Sequence, residues 1–136
     1  MNKIEQTLSI IKPDAVERNL TDEIKSILLK ANLNIKESKK IHITKDEAAE
    51  FYKVHQSKPF YNDLCSYLSS GPIVVMLLEG ENAIKLYRKI MGATDPKNAE
   101  DDTIRKLYGI SIDKNSVHGS DSSDNAKKEI NFFFKS

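Results

Sequence analysis

Ile73-Val74-Val75-Met76-Leu77-Leu78 is the longest apolar run of the chain, and its reading decides the fold. Gly71-Pro72 precedes it and Gly80 follows closely, so it is bounded by turn signals. It is far too short to cross a bilayer, which takes about 20 residues. A short, continuously apolar, β-branched run between turns is a strand covered on both faces, at the centre of a sheet. Beyond Gly80 a helix is expected over Glu81 to Ile90, with Ala83, Ile84, Tyr87 and Met91 spaced for burial and Gly92 as its cap.

Upstream, Thr7 to Ile11 alternates and is β-branched, so it reads as a strand ended by Pro13. Leu20 to Ala31 has helical spacing at Ile24, Ile27, Leu28 and Ala31, with Thr21 as N-cap, Asp22-Glu23 in the first turn and Asn32 as the stop. Asn34 to Ile43 reads as a second strand with one solvated face. Thr44 and Glu47 form a capping box for a helix through Tyr52, and Pro59-Phe60 open another short helix with Leu64 and Leu68 on one face.

Downstream, Gly92 to Lys114 has little periodicity. It reads as a functional loop with a short helix at Thr103 to Tyr108, anchored by Ile104, Leu107 and Ile110. Ser122 or Ser123 would cap a last helix through Lys128, and Ile130 to Phe134 reads as a closing strand. The order β-α-β-β-α-β with extra short helices implies an α+β, ferredoxin-like domain over residues 1–136, with a four-stranded antiparallel sheet and helices on one face.

The 21 Lys and Arg nearly balance the 20 Asp and Glu, a net charge of +1 that gives no whole-molecule pull toward nucleic acid or membrane. The start of the chain has no signal-peptide pattern, and Cys65 is the only cysteine, which excludes an intrachain disulfide and a cysteine zinc cluster. A cytoplasmic protein is expected. Neither G-x-x-x-x-G-K-[ST] nor G-x-G-x-x-G occurs, and no acidic cluster suggests a magnesium cage.

The chemistry concentrates in Asn115-Ser116-Val117-His118-Gly119-Ser120-Asp121-Ser122. A histidine among small polar residues reads as a polar turn before the last element. The imidazole titrates near neutrality and its neutral ring is a nucleophile, so a phosphorylated His118 is one sensible use.

This run resembles the active-site signature of nucleoside diphosphate kinases, Asn-x-x-His-Gly-Ser-Asp. Further stretches follow in that family's order: Ile10-Ile11-Lys12-Pro13-Asp14-Ala15-Val16, Tyr52 with His55, Pro59-Phe60, Ser70-Gly71-Pro72, Leu78-Glu79-Gly80, Met91-Gly92-Ala93-Thr94 and Thr103-Ile104-Arg105. The resemblance implies phosphoryl transfer from a nucleoside triphosphate to a diphosphate through a pros-phosphohistidine at His118, with ping-pong kinetics. It implies Glu129 as the carboxylate that orients the imidazole, though which ring nitrogen it meets stays open. Ser120 and Tyr52 would act beside the ring. Lys12, Arg88 and Arg105 would meet phosphate oxygens, each being one of many ordinary surface cations without the motifs. Thr94 would donate to phosphate, and Asn115, with Lys12, would reach the sugar hydroxyl. Phe60 and Ile112, with Leu64 alongside, would sandwich the base with little base selectivity. Mg²⁺ would be held through the nucleotide phosphates, with no metal ligands from the protein, and the substrates would be the common ribo- and deoxynucleotides. No nucleic acid or membrane partner is implied. The assembly would be a hexamer or a tetramer.

Several positions depart from the family pattern. Val54 stands where an acidic residue is common, Asn19 and Asp22 replace glycines, Asp101-Asp102 replaces Pro-Gly, and Lys106-Leu107-Tyr108 replaces Gly-Asp-Phe. Two rivals share the topology or the ancestry. An RNA-recognition module would show an aromatic strand signature, which is missing. A regulatory relative would bind nucleotide without turnover, yet every matched catalytic position is filled.

Overall fold

Strand β1 (Ile4–Ile11) lies inside a four-stranded sheet of order β2-β3-β1-β4, with β2 at Asn34–Ile41, β3 at Ile73–Glu81 and β4 at Val117–Gly119. The computed structural model describes residues 4–53, 56–110, 114 and 116–134. All three pairings are antiparallel: Ile10 faces Val75 on one side and His118 on the other, and Ser38 of β2 faces Met76. The run that decided the fold is therefore the interior strand β3, with Ile73 to Leu78 buried throughout.

The helices are α1 (Pro13–Glu17), α2 (Thr21–Lys30), α3 (Lys45–Phe51), α4 (Tyr61–Leu68), α5 (Ala83–Met91), α6 (Ile104–Tyr108) and α7 (Ser123–Phe133). Strand alternation divides the core in two. Val74, Met76 and Leu78 pack with Ile24, Leu28, Ala83 and Tyr87 of α2 and α5. Ile73 and Val75, with Leu8 and Ile10, pack with Ala48, Leu68 and Phe133 of α3, α4 and α7. Helices cover both faces, not one, because β3 is apolar on both sides.

Local signals behave as their chemistry requires. The Thr44–Glu47 capping box is formed in both directions. Asn32 takes φ 68° just past α2, and Gly92 takes φ 87° after α5. Thr21 is the first helical residue of α2, not its cap; Leu20 holds that position without a side-chain hydrogen bond. Ile104 is fully buried, but Leu107 and Ile110 are exposed and do not anchor their loop.

The end of the chain is the main correction. Ile130 to Phe133 belongs to helix α7 and is not a closing strand. An aromatic run this short suits either state by composition. What decides is the spacing of Ala126, Ile130 and Phe133, which puts one helical face on the sheet. Ser122 caps the helix by accepting from the Asn125 backbone N–H at 3.2 Å. At the other end Lys39 of β2 donates to the Phe133 carbonyl and lies 5.0 Å over the Phe134 ring. The last strand is β4 itself, so His118 sits on a strand, not in a polar turn. Among the described residues no helix is long and apolar enough to cross a membrane.

Candidate active site

Strand β4 is three residues long and, among the described residues, pairs only with β1. Its alternation sends Val117 and Gly119 toward α5 and the His118 imidazole to the opposite face, toward α3 and α7. There Glu129 of α7 places Oε1 at 3.0 Å from His118 Nε2. A carboxylate oxygen only accepts, so Nε2 carries the hydrogen and Nδ1 holds the lone pair of the neutral ring. The Ser120 hydroxyl donates to the same Oε1 at 2.8 Å and accepts the Leu8 backbone N–H at 3.4 Å. That strand amide orients Ser120, Ser120 orients Glu129, and Glu129 orients the imidazole. His118 and Glu129 keep 23% and 19% of their side-chain surface, so the pair is sheltered yet reachable.

Phe51, at the end of α3, meets the imidazole edge-on at 5.4 Å between centroids and 76° between planes. The motifs did not single it out; the position next to Tyr52 on α3 is the one signal that could have. Tyr52 is buried beside Phe51, and burial pushes its phenol above its ordinary pKa, with the nearby Cys65 and Glu129 adding to the shift. Asp121 stands in the signature run, but no role was expected for it. The Asn125 amide donates to it at 2.6 Å and holds its carboxyl below the usual range, with smaller contributions from Arg88 and His118. Arg88 is thereby placed within electrostatic reach of the same corner.

Lys12 directly follows β1 and is buried, and its backbone N–H continues the β1–β4 ladder to the Ser116 carbonyl at 2.8 Å. Asp14, two residues on, ties this end of the sheet together. It is buried, accepts from the Tyr67 hydroxyl and pairs with Arg18 at 3.2 Å. Arg105 is buried too. Its guanidinium donates to the Gly92 carbonyl at 3.1 Å and to the Val117 carbonyl at 2.9 Å, and burial lowers its pKa. It therefore clamps the residue before the histidine. Thr94 is exposed beyond Gly92. Phe60 is 45% exposed at the start of α4, so it is not the core residue that an aromatic usually is. Leu64 lines a cleft of about 340 Å³ with Asp63, Ser66, Tyr67 and Lys114. Ile112, Asn115, Val54 and His55 lie outside the described residues.

A family model described as nucleoside diphosphate kinase matches residues 5–136. The chain is 57% identical over 131 residues to a nucleoside diphosphate kinase of Rhizorhabdus wittichii, covering 96% of this chain and 94% of the relative. It is 56% identical to that of Azorhizobium caulinodans over the same shares. Among solved structures, the Aquifex aeolicus nucleoside diphosphate kinase superposes with a TM-score of 0.96 at 40% identity, covering 98% of this chain and 96% of that one. Sequence, fold and the histidine-centred site agree, and the chain belongs to the nucleoside diphosphate kinase family.

Proposed function

We propose that the nucleoside diphosphate kinase activity of this chain runs through a covalent phosphate on Nδ1, the pros nitrogen, of His118. The observation that carries this is the Glu129 hydrogen bond, which commits Nε2 and leaves Nδ1 as the nucleophile. Nδ1 attacks the γ-phosphorus of a bound triphosphate. The N–P bond forms, the P–O bond to the β-phosphate breaks, and the diphosphate leaves. The ring now carries positive charge, which the Glu129 carboxylate offsets. A second diphosphate binds, its terminal oxygen attacks phosphorus, and the N–P bond breaks, restoring neutral His118.

Lys12, Arg88 and Arg105 are assigned to the phosphate oxygens, with Thr94 as a hydroxyl donor. The burial of Lys12 beside β4 and the reach of Arg88 to Asp121 support this. Tyr52 lies in the layer that backs the imidazole, and Asn115 is assigned to the sugar. Phe60 and Ile112 are assigned to the two faces of the base, with Leu64 beside them. The exposed ring of Phe60 supports stacking, which accepts any base. Among the described residues no three His, Cys, Asp or Glu side chains cluster to hold a metal. A Mg²⁺ carried on the nucleotide phosphates would need no such cluster and would supply charge neutralisation there. The substrates are nucleoside di- and triphosphates of any base, ribo or deoxy. A homo-oligomer, hexamer or tetramer, fits the exposed Leu107 and Ile110, and light scattering reads its order. The buried free thiol of Cys65 fits a reducing cytoplasm.

The test is incubation with γ-labelled ATP and Mg²⁺, followed by intact mass and label stability, for the parent and His118→Ala. One acid-labile, base-stable phosphate per chain is expected, discharged by GDP or CDP and missing in the variant. A parent that binds nucleotide but never takes label would sink the mechanism.

A further inference from the structure

We infer that Tyr87 is a positioning residue for the nucleophile, holding the His118 backbone from the face of the sheet opposite the imidazole. This rests on the reading of His118 as the phosphorylated residue. Tyr87 belongs to α5 and is fully buried. Its hydroxyl donates to the His118 carbonyl at 3.3 Å, and its oxygen lies 2.5 Å from Ser9 Oγ. With the phenol hydrogen directed at the carbonyl, Ser9 donates to Tyr87. The chain of bonds runs from β1 through α5 to β4. Its ring lies against Gly119, where an added Cβ would come within 2.7 Å of the ring carbons Cδ2 and Cε2.

The reason such a grip matters is the weakness of β4. Three residues bonded to one neighbour make a strand that the ladder alone holds poorly. Its carbonyls are therefore seized by side chains: Val117 by Arg105 at 2.9 Å and His118 by Tyr87. The imidazole rides on the peptide that Tyr87 holds. A shift of that peptide moves Nδ1 relative to the incoming phosphorus, and displacements of about 1 Å cost roughly 100-fold in rate. Tyr87 also stands next to Arg88, assigned to the phosphates, so one helical turn sets both the nucleophile and a phosphate cation.

The experiment compares Tyr87→Phe with Ser9→Ala. Tyr87→Phe removes both bonds of the hydroxyl and Ser9→Ala only the one between them, so only the first frees the His118 carbonyl. The readouts are the single-turnover rate of His118 phosphorylation by ATP and the KM for ATP. Tyr87→Phe is expected to slow phosphorylation roughly 5- to 50-fold with KM within about twofold, while Ser9→Ala stays within about twofold of the parent in both. Equal slowing in both variants, or none in Tyr87→Phe, overturns the inference. Should Tyr87→Phe not fold, Ser9→Ala alone decides: slowing beyond about fivefold means that general stability, not the grip, sets the rate. A parent that takes no label fails the His118 mechanism instead, and is thus told apart from a failure of the Tyr87 inference.

Discussion

At the scale of single residues, the members of the histidine cluster were legible and their mutual orientation was not. His118, Glu129 and Ser120 could be named from the resemblance to the family's motifs. That Glu129 meets Nε2, and that Ser120 is itself fixed by the Leu8 amide, depends on a strand that pairs residues more than a hundred positions apart. Phe51 escaped for the same reason: its edge contact with the imidazole exists only once α3 and β4 meet across the core. The orientation makes a prediction. Glu129→Gln keeps the size of the side chain but removes the charge that offsets the phosphorylated ring. It is expected to slow His118 phosphorylation roughly 10- to 100-fold while nucleotide affinity stays near that of the parent. Rapid-quench labelling beside equilibrium titration would measure both, and an unchanged labelling rate would remove Glu129 from the mechanism.

Among the elements, periodicity served where it was long and failed where it was short. The apolar run of β3 and the helices α2, α3 and α5 follow from their own residues. Strand β4 was missed because Val117-His118-Gly119 has no strand-like pattern; β1 makes it a strand by pairing with it. The Phe132-Phe133-Phe134 run was misread because aromatic side chains favour strands in isolation, whereas here Phe133 is one of several residues that fix the face of α7. The glycine of β4 tests this packing. In Gly119→Ala the new methyl would collide with Tyr87 and with Met91 Cε at 2.8 Å. A loss of about 1–3 kcal/mol in urea unfolding is expected, together with slower phosphorylation. A variant as stable and as fast as the parent would show that α5 does not press on β4 as described.

On the scale of the whole molecule, three tyrosines tie catalytic geometry to stability. Burial raises the pKa of Tyr52, Tyr67 and Tyr87, and the bond from Tyr67 to Asp14 adds to its shift. The sign follows from the raised values. The unfolded chain ionises near the ordinary phenol pKa of about 10 while the folded phenols stay neutral, so their contribution is full below that pH and falls as pH rises beyond it. The melting temperature should hold between about pH 8 and 9 and drop above about pH 10, with tyrosinate absorbance rising in step with unfolding. Independent, gradual titration of all five tyrosines in the native protein would contradict this. Net charge and composition bounded the class of molecule but carried no trace of this coupling, because burial is a property of the assembled sheet.

The place of β1 in that sheet has a consequence for synthesis. Both its neighbours, β3 and β4, come later in the chain, and β4 comes only after α5 and α6. A nascent polypeptide can seat β1 on β3 once residue 81 has left the ribosome, giving a three-stranded platform with β2. It cannot present an oriented imidazole until α7 has emerged and brought Glu129 to the histidine. The imidazole is therefore oriented later than the sheet can form, and a ribosome stalled before α7 would display a three-stranded scaffold whose histidine lacks its carboxylate partner.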